Sequence, residues 1–235
     1  MAQDKFLSLT YRFSFPDGSE KKFVIKLNRE SGKLVQRERD SYPEWTRLSY
    51  KQCQHCPLKI EDQPRCPVAV SLIDVVEFFQ DSISTKQAVV TVESGQRITK
   101  RTRTNLSSSI SSIIGIYMAT SGCPIMDKLR PMARFHLPFA DTEETVYRAL
   151  SMYALAQYFR HQKGLEADWD FQALKQIYSE VNQLNIDFAR RLRNDSISEA
   201  TTNAITSLDC FAQEIDFSIS EEMLEEIETL FEGYA

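Results

Sequence analysis

The sequence predicts an α+β fold: N-terminal antiparallel β-hairpins with a cysteine-rich loop, followed by a C-terminal helical bundle. Three observations carry this. Residues 5–28 alternate apolar and polar around a turn, residues 88–100 do so again, and beyond Asn105 apolar residues recur at helical spacing. Residues 1–104 thus form a β-rich region with one helix and a cysteine-containing loop. Residues 105–235 form a helical region expected to pack with the first as one unit.

Leu7, Leu9, Tyr11, Phe13 and Phe15 alternate with Ser8, Thr10, Arg12 and Ser14, which places five large apolar groups on one face of a strand. Pro16-Asp17-Gly18-Ser19 is a turn, and Phe23, Ile25 and Leu27 continue the apolar face on a returning strand. A short third strand over residues 33–36 is weakly signalled. Residues 37–67 show little periodicity and read as a loop that something must fasten. Residues 68–80 form an amphipathic helix, with Pro67 in its first turn and Cys66 just before it. The positive end of that helix is expected to favour a thiolate.

Residues 88–92 and 97–100 form a second hairpin around Ser94-Gly95. Asn105 is placed to cap a helix through Met118, which Ser121-Gly122 ends. Cys123-Pro124 starts a short helix through Leu129 and Met132. Asp141 and Glu144 form a capping box for a long helix that reaches Gly164, with Val146, Leu150, Tyr153, Tyr158 and Phe159 as its stripe. Asp168 can cap the next, whose stripe runs from Phe171 through Leu184 and Phe188 to Leu192, with Arg190, Arg191 and Arg193 suited to its C-terminal end. Two further helices are expected, over residues 198–212 and 220–231.

Chemistry is concentrated in the cysteines. Cys53 and Cys56 form a C-x2-C pair, Cys66 follows after nine residues, and Cys123 lies far downstream. Four thiolates in this arrangement suit a tetrahedral zinc ion or an iron–sulfur cluster, and either would tie two distant segments together. A zinc site fits the single close pair with two later ligands. The prolines after Cys56, Cys66 and Cys123 resemble cluster-binding loops, although ferredoxin spacings do not match. Reduced thiols packed as small apolar groups are the third reading. Cys210, beside Leu208 and Phe211, reads as a core thiol.

His55 lies inside the C-x2-C pair and is expected on the surface, turned away from any metal. His136 clusters in sequence with Asp127, Arg130 and Arg134, as a polar pocket near the metal or as a basic connector. His161 suits a helix end. A Ser-His-Asp motif, a phosphate loop, a dinucleotide fingerprint and H-E-x-x-H are all missing, so no catalytic residue is assigned. Arg97, Lys100, Arg101 and Arg103 form a basic stripe without interleaved aromatics, which fits an exposed strand face better than nucleic-acid binding.

The formal net charge of −5 divides unevenly: from Asn194 onward there are 11 acidic and no basic residues, leaving +6 before it. Such a block most often reports a solvated face. It also suits docking of another, basic protein on the acidic C-terminal helices. No apolar run approaches the roughly 20 residues of a bilayer span, and no signal peptide is recognisable, so a reducing cytoplasm is the expected setting. There, five cysteines point to metal or free thiols over disulfides.

The opening Tyr11-Arg12-Phe13-Ser14-Phe15-Pro16-Asp17-Gly18, Cys53-Gln54-His55-Cys56-Pro57-Leu58, Cys66-Pro67-Val68-Ala69-Val70 and Ser121-Gly122-Cys123-Pro124 resemble an uncharacterised bacterial family, a domain of unknown function. The likeness extends over Asp127-Lys128-Leu129-Arg130-Pro131 to Phe139. It implies a bacterial, cytoplasmic setting and assigns no activity, ligand or catalytic residue. The sequence therefore leads to a metal-binding protein, an interaction or regulatory protein with a structural zinc site. An iron–sulfur redox protein and an enzyme of unidentified class are the alternatives.

Overall fold

The computed structural model describes residues 5–193, 201–206, 208 and 221–234. Four antiparallel strands, β1 (Phe6–Ser14), β2 (Glu20–Asn28), β3 (Gln87–Ser94) and β4 (Arg97–Asn105), form one sheet in the order β2-β1-β3-β4. Both hairpins thus join edge to edge through β1 and β3. Gly18, at φ +80, makes the first turn, and the Asp17 carboxylate accepts from the Ser19 amide at 2.9 Å. Alternation along β1 buries Leu7, Leu9, Tyr11 and Phe13, while Ser8 and Arg12 face water. Tyr11 sits mid-sheet, opposite Phe23 on one side and Val92 on the other. Both edge strands are lysine- and arginine-rich, which discourages pairing with a further chain. In place of a third strand after β2 there is a single bridge, Leu27 to Leu34.

The helix expected over residues 68–80 is two: α1 (Pro67–Ser71) and α2 (Ile73–Phe78). The break at Leu72 has a local cause. The Ser71 hydroxyl donates back to the Val68 carbonyl at 2.8 Å, competing for an acceptor that the Leu72 amide also uses. Next come α3 (Leu106–Ala119), α4 (Arg130–Arg134), α5 (Thr142–Gln162) and α6 (Gln172–Leu192). Residues 201–206 are helical (α7), and α8 spans Glu221–Glu228. Asn105 occupies the N-cap of α3 but does not cap it, because the Gln87 side chain holds its amide oxygen. The capping box of α5 is complete: Asp141 accepts from the Glu144 amide at 2.8 Å and Glu144 from the Asp141 amide at 3.0 Å. Asp168 serves α6 from three residues before its N-cap, accepting from the Ala173 amide at 2.8 Å.

One buried cluster takes side chains from the sheet, from α1 to α3, from the C-terminal half of α6, and from Ala204 and Ile205 of α7. A second lies between α5 and α6, built on Val146, Leu150, Tyr153, Leu174 and Tyr178. Tyr158 and Phe159, expected in the α5 stripe, are exposed because α5 runs past the end of this cluster. Among the described residues no helix is long and apolar enough to cross a membrane. Cys210 and most of the segment expected as helix over 198–212 lie outside the described residues.

Candidate functional site

The loop over residues 37–67 is fastened at two places. Its ends close on each other: the Leu48 amide donates to the Pro64 carbonyl and the Cys66 amide to that of Thr46, at 2.9 and 2.8 Å. Trp45 and Leu48 are buried there. The tip is then held by α6. The Gln54 amide donates to the Asp187 carboxylate at 3.1 Å, and His55 Nε2 lies 3.0 Å from the Glu180 carbonyl oxygen. His55 is therefore half-buried against α6, where its Nδ1 is enclosed without a partner.

These fastenings put the four thiols in one neighbourhood. Cys53 and Cys56 flank a tight turn closed by the Cys56 amide on the Cys53 carbonyl, Cys66 precedes α1, and Cys123 follows α3 through Gly122 at φ +90. Cys56 and Cys66 each lie within electrostatic reach of the other and of both Cys53 and Cys123. The sulfurs at the helical turns also receive backbone hydrogen bonds, Cys66 from Val68 and Ala69, and Cys123 from Ile125 and Met126. All four are free cysteines, and among the described residues no three His, Cys, Asp or Glu are close enough to hold a metal ion. The thiols are neighbours without being at bonding distance.

Burial dominates their acidity. It pushes Cys53 up to about 12 and raises Cys66 and Cys123 as well. The helix start was expected to favour a Cys66 thiolate. Amide hydrogen bonds do pull in that direction, but desolvation outweighs them, and α1 is only five residues long.

The residue that the sequence reading missed is Arg191. It was assigned to the polar end of α6, yet it is 1% exposed, the largest fully buried side chain among the described residues. Its guanidinium donates to the carbonyl oxygens of Trp45 (2.9 Å), Arg47 (2.7 Å), Leu48 (3.3 Å) and Lys51 (3.3 Å), while its Nε has no partner. It forms no ion pair among the described residues. Asp187, one turn earlier, pairs with the exposed Arg190 at 3.1 Å. The Arg191 charge works against burial at Cys53 and Cys66, favouring their thiolates, while Asp187 acts in the opposite sense on Cys53. The signal was in the helical phase: position 191 is seven after Leu184 and three after Phe188, on the buried stripe.

His136 is not beside Arg130 and Arg134. Arg130 pairs with Asp127 at 3.3 Å and Arg134 lies over the Phe135 ring. His136 Nε2 instead meets the Tyr11 hydroxyl at 2.8 Å and the Ser112 hydroxyl at 3.2 Å, and those hydroxyls are 2.8 Å apart. A serine against a histidine is the geometry of an activated nucleophile. Burial, however, pulls the imidazole down to about 3, with the Arg148 charge adding to it, so it is a poor base near neutrality. Ser112 and His136 border a cavity of about 350 Å³ between α3, α4, α5 and α6. The basic stripe of β4 is exposed, as expected. His161 lies edge-on to Trp169 at the end of α5.

The chain belongs to the family described as Domain of unknown function (DUF6901), whose model matches residues 9–232. Neither a curated protein nor a solved structure matches it.

Proposed function

We propose that this is a metal-binding protein of the cytoplasm in which Cys53, Cys56, Cys66 and Cys123 hold one zinc ion, and that the ion is structural. The observation that carries the reading is the buried guanidinium of Arg191, which forms no ion pair among the described residues and whose charge acts on Cys53 and Cys66. A charge taken out of water is costly unless an opposite charge accompanies it, and neutral thiols supply none. A zinc ion with four thiolates carries net negative charge, which offsets Arg191 in place. The donor set fits: four soft sulfurs, one close pair and two later ligands, with amides aimed at two of the sulfurs as in sites that bind a metal–thiolate centre. Binding draws the 53–56 turn and the 122–126 turn onto a common ion, so the long loop, α1 and the end of α3 are locked together.

An iron–sulfur cluster would use the same four thiolates and the same counter-charge. Metal analysis and a visible spectrum of anaerobically purified protein separate the two. A colourless protein with one zinc per chain is expected. A brown protein with iron and labile sulfide replaces zinc with a cluster, and a protein free of both metals overturns the reading.

A further inference from the structure

We infer that the cavity bounded by α3, α4, α5 and α6 is a binding site for a small carboxylic acid with an apolar body and a hydroxyl donor at its far end. This inference is independent of the thiol centre. Along α3 the wall includes Ser108, Ser112, Gly115 and Ala119, small residues recurring every three or four positions beside the larger Ile116 and Met118, and their small volume leaves part of the space. Apolar groups such as Met126 and Val181 complete most of it.

Two polar groups in the wall are incompletely satisfied. Arg148, half-buried on α5, donates to the carbonyl oxygens of Met132 and Phe135 at 3.0 and 2.9 Å, and forms no ion pair among the described residues. A half-buried guanidinium bonded only to neutral carbonyl oxygens still suits a carboxylate. Asn185 of α6 is 3% exposed. Its Nδ2 reaches the Leu208 carbonyl at 3.4 Å, but its Oδ1 is buried with no donor. An enclosed amide oxygen asks for an O–H or N–H.

Spacing sets the scale of the ligand. Arg148 and Tyr178 both contact Met132, at its carbonyl oxygen (3.0 Å) and its Sδ (3.6 Å), and Asn185 is seven residues beyond Tyr178 on the same helix, a rise of about 10 Å. At about 30 Å³ per heavy atom, the share that one water molecule takes in the liquid, the cavity holds about twelve such atoms. An eight-carbon acid with a terminal hydroxyl matches both figures. A phosphate ester suits the site less well, because the walls are mainly apolar.

Calorimetric titration of the full chain with 8-hydroxyoctanoate, octanoate and octanamide tests this. The hydroxy acid should bind best, and octanamide at least about tenfold more weakly than octanoate, as loss of a charge-assisted hydrogen bond implies. Arg148→Met should erase the difference between octanoate and octanamide, whereas Arg148→Lys should keep part of it. Asn185→Leu should erase the preference for the hydroxyl. Gly115→Leu should abolish binding of all three by filling the space, and it should fold, since a Cβ there meets only the end of Leu208 at 3.7 Å. Melting curves confirm that each variant is folded. Absence of binding to the native chain, charge discrimination that survives Arg148→Met, or unchanged binding to a folded Gly115→Leu protein would each overturn the assignment.

Discussion

The Arg191 guanidinium of α6 donates a 2.7 Å hydrogen bond to the carbonyl oxygen of Arg47, 144 residues earlier in the chain. That bond, with its three companions to Trp45, Leu48 and Lys51, makes one buried side chain a central tie between the cysteine loop and α6, beside the Gln54–Asp187 and His55–Glu180 contacts. Arg191→Met should therefore lower stability by about 3 kcal/mol or more, since it strands several buried carbonyls at once. It should also weaken zinc retention in competition with a chelator. Denaturant unfolding and a chelator titration check the two effects, and an unchanged zinc affinity would separate Arg191 from the thiols.

Cys56→Ser and Cys123→Ser should each lower the melting temperature of the zinc-loaded protein and expose residues 37–67 to protease, because a lost ligand frees the ion that locks the loop. Cys210→Ser, outside the quartet, should be milder. Limited proteolysis followed by mass mapping reads this directly. Equal melting and equal resistance in all three variants would leave the quartet without a structural role.

His136 makes acid stability a test of its burial. The folded imidazole titrates near 3 because it is buried, whereas an unfolded one takes its proton near pH 6.5. Above that pH the group adds no pH dependence. As pH falls from about 6.5 toward 3, the unfolded chain binds a proton that the folded chain does not, so stability declines by up to about 1.4 kcal/mol per pH unit. His136→Gln should flatten this slope between pH 6 and pH 5, a window chosen above the main carboxylate titrations. Parallel wild-type and variant curves would show that the imidazole charges in place.

Much of the framework was legible in the sequence. Strict alternation from Leu7 to Phe13 marks a strand with one buried face, because a period of two leaves no other way to bury all four groups. Asp141 and Glu144 mark a helix start through purely local hydrogen bonds. Features decided by distant neighbours were not legible. Tyr158 and Phe159 continue the apolar pattern of α5 but extend past the helices that would cover them. Ser108 and Ser112 look like polar filler on α3, yet they border a cavity, since what faces them comes from α4 and α6. Arg191 looks like Arg190 in composition. Only the phase of α6 turns one inward and the other, 60% exposed, outward.

Local capping gives a further check on the helical region. Asp141→Ala should cost about 1 kcal/mol, the usual worth of an N-cap carboxylate. Glu144→Ala should cost less, since it removes only the reciprocal half of the box. Thermal melts of the two variants in one buffer test the order, and a larger loss for Glu144→Ala would contradict it.

The most direct test of the thiol centre is X-ray absorption at the zinc edge of the protein as purified from cells under reducing conditions. Four sulfur neighbours at about 2.3 Å, falling to three in Cys123→Ser, are predicted. A shell dominated by nitrogen or oxygen, or a sulfur count unchanged by Cys123→Ser, would contradict the convergence of Cys53, Cys56, Cys66 and Cys123 on one ion.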